Sequence, residues 1–103
     1  MVRAAVLYDY NQPLRIEEVE IKPPRPDEVV VRMAASGVCH TDLSVLEGKM
    51  PLPPPCILGH EGAGVVESVG SGVSELAPGD HVVLSWVRNC GKCAFCVAGK
   101  VHL

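Results

Sequence analysis

Three cysteines stand at strict two-residue spacing in Cys90-Gly91-Lys92-Cys93-Ala94-Phe95-Cys96. A Cys-x-x-Cys loop wraps two thiolates around one tetrahedral metal, so the run supplies three of the four ligands of a structural zinc. No cysteine follows Cys96, which leaves His102 or the terminal carboxylate of Leu103 as candidates for the fourth position. Four cysteines would suit an iron–sulfur cluster better. A zinc ribbon would need a second paired half, and a thioredoxin-like redox pair would need a βαβ unit; the chain offers neither.

The cysteine count also bears on compartment. Five cysteines in a short chain could mark a secreted disulfide scaffold, yet Met1-Val2-Arg3-Ala4-Ala5-Val6-Leu7-Tyr8 carries no long apolar run before a cleavage site. An odd count at tight spacing fits metal thiolates in a reducing compartment, so a cytoplasmic protein is expected. A net charge of -3 excludes the clustered positive surplus that nucleic acid requires. No apolar stretch approaches the roughly 18–20 residues of a membrane helix, so neither nucleic acid nor membrane is an expected partner. The 48% hydrophobic content suffices for one small core.

Nine prolines and ten glycines punctuate the chain into short segments. Val2 to Tyr8 reads as a strand with Leu14 to Ile21 as its antiparallel partner, joined by a turn at Asn11-Gln12-Pro13. Pro23-Pro24-Arg25-Pro26 reads as loop. Glu28 to Ala35 reads as a third strand, with Val29, Val31 and Met33 on one face and Val30 and Arg32 on the other, ended by Gly37. His40 to Glu47 reads as a short helix, with Leu43 and Leu46 on one face, Asp42 in the first turn and Gly48 as the stop. Met50 to Cys56 is a proline-rich connector, and Gly64 to Val69 and Asp80 to Val87 are two further strands. Such spacing predicts a mainly β protein, a small barrel with one short helix.

Gly70-Ser71-Gly72 lacks the third glycine of a dinucleotide fingerprint and reads as a turn, as does Pro78-Gly79-Asp80. Gly99-Lys100 is not a phosphate loop, because Ala94 stands where the earlier glycine belongs. Cys56 is expected to be structural and His81 a surface or strand residue.

Cys39 lies at a strand-to-helix junction, where the helix dipole favours a thiolate. His60 lies at a second junction, in Gly59-His60-Glu61. One cysteine and one histidine from separate segments make half of a catalytic zinc site of the Cys/Cys/His type. A lone cysteine is more often a small buried apolar group, so the neighbours matter. Gly59, Gly62 and Gly64 allow close backbone approach, Glu61 is an acid among apolar residues, and Thr41 and Asp42 could supply a hydroxyl relay and a carboxylate behind the imidazole.

Gly59-His60-Glu61, followed at fixed intervals by Gly64, Gly70 and Val73, resembles the zinc signature of the medium-chain alcohol dehydrogenases. Cys39-His40-Thr41-Asp42, Pro78-Gly79-Asp80 and the cysteine run follow in that family's order. The resemblance implies a GroES-like (chaperonin-10-like) β-barrel over residues 1–87 and the start of a zinc lobe over 88–103, with a Rossmann domain that binds NAD(P) outside this chain. It implies a catalytic zinc on Cys39 and His60 with a third cysteine ligand beyond Leu103, and a structural zinc on Cys90, Cys93 and Cys96. The family's fourth lobe cysteine would fall one residue past Leu103, so an N-terminal piece of a longer enzyme is expected.

By the same resemblance Thr41 would take the proton from an alcohol, Asp42 would orient His60, Glu61 would influence ligand exchange, and His40 would face the cofactor pyrophosphate. Met50 and Trp86 would line the substrate pocket. Ser44 stands where some relatives extend the relay with histidine, so an imidazole step there is excluded. The implied activity is oxidation of an alcohol to an aldehyde or ketone with hydride transfer to NAD(P), by a homo-oligomer when complete; the 103 residues alone are expected to be inactive and prone to self-association. The alternative is a stand-alone zinc-binding or co-chaperonin-like module, which would have no use for Gly59-His60-Glu61 together with the cysteine lobe.

Overall fold

A computed structural model describes residues 1–87 and 89–100. In chain order the elements are β1 (Val2–Leu7), β2 (Arg15–Val19), β3 (Val29–Ser36), α1 (His40–Leu46), β4 (Cys56–Ile57), β5 (Gly62–Val69), β6 (His81–Val83) and α2 (Ala94–Val97). They form two antiparallel three-stranded sheets, ordered β2-β1-β4 and β3-β5-β6. No helix among the described residues is long and apolar enough to cross a membrane.

The first sheet follows from a short hairpin. Val2 pairs with Val19 and Val6 with Arg15. Asn11 makes the reversal at φ 57, a left-handed conformation that its short polar side chain tolerates. β1 is central, and its C-terminal residues Val6 and Leu7 are buried. They pair with Ile57 and Cys56 of β4. That strand corrects the expectation of an unbroken connector from Met50 to Cys56: Pro51 and Pro53 to Pro55 lack donors, and pairing starts at the first residue after them. Cys56 is half-buried there as a free thiol.

The second sheet carries the site. Along β5, Gly62, Gly64 and Val66 are buried and the residues between them half-exposed, the period-two alternation of a strand with one covered face. β3 does not alternate as expected. Register shifts at Val30/Val31 and Met33/Ala35 break the pleat, leaving Val29 to Val31 half-buried in succession and Arg32 to Ser36 exposed. β6 is shorter than the expected Asp80 to Val87. It pairs only with Ala63 to Val65, and after one more bond, from Leu84 N–H to the Gly62 carbonyl at 2.8 Å, β5 offers no further partner.

α1 ends in a paired motif: Gly48 N–H donates to the Val45 carbonyl and Lys49 N–H to the Ser44 carbonyl, with Gly48 at φ +76. Its buried residue is Val45, not the expected pair of Leu43 and Leu46; Leu43 is exposed and Leu46 half-buried. Val45 also lines the cavity described below.

Two kinds of glycine hold the turns. Gly70 is buried, and a Cβ there would overlap the carbonyl oxygens of Arg25 and Pro26. Its own N–H donates to the Glu28 carbonyl at 2.7 Å, so the turn after β5 is pressed onto the proline-rich loop. Gly79 has open space around it but sits at φ +97. These two constraints predict different rescue patterns. Gly70→Ala is expected to cost roughly 1–3 kcal/mol by overpacking, with Gly70→Asn worse. Gly79→Ala is expected to cost about 1–2 kcal/mol by backbone strain, with Gly79→Asn milder. Urea midpoints of the four variants check both orders.

Candidate metal centres and the cavity between them and solvent

Ser36, the last residue of β3, pairs with Gly62, the first of β5. One step further out, Gly37 N–H donates to the Glu61 carbonyl at 3.0 Å. The segment leaving β3 toward α1 and the segment entering β5 thus run side by side, which brings Cys39 against His60. Gly64 permits the approach, because a Cβ there would overlap the Arg32 carbonyl oxygen. Gly59 acts otherwise than expected: nothing lies within 4 Å of a Cβ built on it, and its φ of +129 is what requires glycine.

The Cys39 sulfur, a His60 ring nitrogen and a Glu61 carboxylate oxygen all lie within 4.8 Å of one another. Thiolate, imidazole and carboxylate form a donor set that suits zinc, and three such ligands leave a tetrahedral position open. Asp42 ties the cluster to the helix. Its Oδ2 accepts from the Cys39 N–H at 3.3 Å, and its Oδ1 stands 3.4 Å from His60 Nδ1. A proton held on Nδ1 toward that carboxylate leaves Nε2 free as a ligand atom.

The electrostatics favour an anionic sulfur. Thr41 Oγ1 lies 3.5 Å from Cys39 Sγ. The Thr41 hydroxyl and backbone N–H, then the His60 ring, hold the Cys39 thiol below its ordinary range. The His60 imidazole is raised by its hydrogen bond to Cys39, with Asp42 and Glu61 adding attraction and partial burial opposing it. A thiol held below its ordinary range is prepared as a metal ligand.

The other expected residues sit nearby in different surroundings. His40 is exposed in the first turn of α1. Both side-chain hydrogen bonds of Ser44 go to His40: its Oγ lies 3.4 Å from Nδ1 and donates to the His40 carbonyl at 3.2 Å. No described bond joins Ser44 to Thr41.

The cysteine run closes into a second cluster, with the sulfurs of Cys90, Cys93 and Cys96 within 4.8 Å of one another. The N–H groups of Lys92 and Cys93 point at Cys90 Sγ at 3.4 and 3.2 Å, and lower that thiol to about 7. Cys96 N–H donates to Cys93 Sγ at 3.5 Å from the short helix α2, an element that periodicity did not predict. Donors converging on Cys90 favour its thiolate, and three sulfurs gathered this closely form a donor set that suits a soft cation. The fourth-ligand candidates His102 and Leu103 lie outside the described residues.

A cavity of about 390 Å³ opens beside the first cluster. Thr41, Asp42 and His60 stand at its polar end, and Met50 and Trp86 lie in its wall. The Trp86 ring tilts 53° to that of His60 with centroids 6.0 Å apart. Sequence reasoning missed Leu52, Ile57 and Leu58, which complete the apolar wall. It also missed Tyr10, whose hydroxyl donates to the Leu52 carbonyl at 3.1 Å while its ring packs against Gly48. The Tyr10–Leu52 contact joins residues far apart in the chain, so only an apolar count near His60 could have pointed to Ile57 and Leu58, and nothing local to Tyr10.

Comparison with known proteins identifies the family. The profile of the alcohol dehydrogenase GroES-like domain matches residues 25–103. An alcohol dehydrogenase class-3 from Pisum sativum is 50% identical over 102 residues, covering 98% of this chain and 27% of the relative. An NDMA-dependent alcohol dehydrogenase from Amycolatopsis methanolica is 46% identical, over 98% of this chain and 27% of its own length. The crystal structure of an alcohol dehydrogenase zinc-binding domain protein from Burkholderia ambifaria superposes with a TM-score of 0.87 at 54% identity, covering 94% of this chain and 26% of that one. The chain thus spans about a quarter of the length of these relatives. Since the matched stretch runs through Cys39, His60 and the whole cysteine lobe, this chain belongs to the alcohol dehydrogenase family and carries its GroES-like domain.

Proposed function

We propose that the chain is the N-terminal catalytic portion of a zinc- and NAD(P)-dependent alcohol dehydrogenase, oxidising an alcohol to an aldehyde or ketone. The observation that carries this reading is the Cys39, His60 and Glu61 cluster, whose His60 also lines a largely apolar cavity together with Thr41 and Asp42. Residues 1–87 form the catalytic-domain barrel in this reading, and 88–103 begin the structural lobe. A zinc ion on Cys39, His60 and Glu61, or on the first two with a cysteine from a later segment, supplies Lewis-acid polarisation of an alcohol oxygen.

The chain's own residues do the rest. Thr41 reaches both the Cys39 sulfur and the cavity, so its Oγ1 can accept a proton from an alcohol hydroxyl while passing its own outward. Asp42 holds the imidazole in one orientation, and apolar side chains surround the cavity that the imidazole lines. His40, exposed at the start of α1 with Ser44 against its ring, is placed to donate to a cofactor phosphate. The described strands form no parallel βαβ cradle, so dinucleotide binding is assigned to a Rossmann part of the same polypeptide. A homo-oligomer working in the cytoplasm completes the proposal.

Metal analysis separates the two clusters. The chain is expected to retain two zinc ions after dialysis, with Cys39→Ser or His60→Ala removing one and Cys93→Ser removing only the other. Loss of both together, or of neither, would sink the two-site assignment. In the longer polypeptide that carries this domain, Thr41→Val is expected to lower kcat with an alcohol by roughly 10²–10⁴-fold and Thr41→Ser far less. A polypeptide of these 103 residues alone is expected to show zinc binding without alcohol-dependent NAD(P) reduction, whereas the longer polypeptide is expected to reduce NAD(P) with an alcohol; an inactive longer polypeptide would favour a zinc-binding module instead.

A further inference from the structure

Gly37 is a glycine for a reason that its backbone conformation does not supply. It is not among the glycines held at positive φ, which are Gly48, Gly59, Gly79, Gly91 and Gly99, so a side chain there meets no left-handed strain. What a side chain would meet is Glu61. A Cβ built on Gly37 would overlap Glu61 Oε2, yet it would stand 3.3 Å from the Glu61 Cβ and 3.4 Å from its Cδ. The conflict therefore falls chiefly on the end of one flexible side chain. The two backbones cannot separate to relieve it, because Gly37 N–H donates to the Glu61 carbonyl at 3.0 Å, next to the Ser36–Gly62 pair of the sheet.

We propose that Gly37 is the positioning residue of the first cluster: its missing side chain lets the Glu61 carboxylate stand as a donor beside the Cys39 sulfur and the His60 imidazole, and a methyl group there turns that carboxylate out of the set. The inference rests on the metal-centre part of the proposed function and on no particular alcohol. A carboxylate that must yield does so by exchanging one staggered rotamer for another. Room for the exchange exists, since Glu61 is exposed and borders a second cavity of about 460 Å³ with Cys39, Thr41 and His60.

Gly37 thus differs in kind from Gly64 and Gly70. At those two positions a Cβ would strike main-chain carbonyls, which cannot turn aside, so the cost falls on the fold. At Gly37 the obstacle turns aside, and the cost falls on the donor set. The other two donors keep their own supports: Asp42 Oδ2 accepts from Cys39 N–H, Thr41 Oγ1 lies against the Cys39 sulfur, and Asp42 Oδ1 faces His60 Nδ1. None of these contacts involves an atom of Gly37. A site cut from three protein donors to two holds a divalent ion more loosely, with its remaining ligands still in place.

The test reads metal binding in the chain, not turnover. Trp86 is the one tryptophan, and its ring centroid lies 6.0 Å from that of His60, so cobalt(II) bound at the first cluster is expected to quench its emission. The component of the quenching that His60→Ala abolishes reports that cluster alone. Gly37→Ala is expected to weaken cobalt binding about 10–100-fold, as Glu61→Ala does. In a Glu61→Ala background, Gly37→Ala should change the affinity by less than about twofold, since no carboxylate is left to displace. The urea midpoint of Gly37→Ala should match that of the unsubstituted chain.

An affinity unchanged in Gly37→Ala, or in Glu61→Ala, overturns the positioning role and leaves the metal centre intact. So does a loss that persists when Glu61 is already alanine, which would make Gly37 a residue of the fold only. No quenching at all, or quenching that survives in both Cys39→Ser and His60→Ala, overturns the metal centre and the positioning role together.

Discussion

The antiparallel register of β3 against β5 is the constraint from which the rest of the site follows. With Ser36 opposite Gly62, whatever leaves β3 must pass whatever enters β5. Cys39 and His60 are thereby made neighbours by sheet hydrogen bonds, with no need for either to reach across the molecule. The register itself depends on absent side chains: Gly64 lets the Arg32 carbonyl close in, and Gly70 lets the following turn settle on the Arg25–Pro26 backbone. A one-residue slip would turn the ligands to opposite faces. Glycine is therefore as much a part of the candidate centre as the sulfur and the imidazole.

Asp42 joins the sheet-built geometry to the helix. One of its oxygens caps the Cys39 N–H and the other faces His60 Nδ1, so local helix formation and ligand orientation are the same event. The second cluster is built on a different plan. Its hydrogen bonds are internal to residues 90–100, with backbone N–H groups directed at Cys90 and Cys93. The first centre uses tertiary structure to bring unlike donors together beside a cavity; the second uses a short loop to gather like donors at the surface. That division matches what each can do. An open position beside a cavity suits chemistry, whereas an all-thiolate set suits a structural ion.

How much of this was legible in the sequence depended on whether the signal was local. The hairpin at Asn11, the stop at Gly48 and the turn at Pro78-Gly79-Asp80 were readable, because the residue that makes each reversal carries its own conformational reason. The cysteine run was readable for the same reason. The partners were not. β4 is two residues long and follows prolines, so no period could announce it, yet it pairs with Val6 and Leu7. Leu43 and Leu46 fit a helical stripe, but which row of α1 is buried is fixed by tertiary packing, and Val45 lies there. Glu61 was visible as an acid beside His60, while its place within reach of Cys39 required the Gly37–Glu61 contact.

The clearest departures from the expected pattern coincide with the cavity. Asp80 to Val87 has the composition of one strand, but pairing stops at Val83 because β5 begins at Gly62. Freed from the ladder, the chain turns, and Trp86 comes to stand over His60. Residues 50 to 58 likewise escape regular structure except at Cys56–Ile57, and they supply the facing wall. Had either segment stayed paired throughout, its side chains would alternate between two faces, and half of them would be lost to the cavity. An apolar wall drawn from consecutive residues requires backbone that leaves the pleat, at the cost of unpaired polar groups that the Tyr10 hydroxyl and the Leu84–Gly62 bond partly satisfy. Local rules failing together at one end of the sheet are thus themselves a sign that this end serves binding.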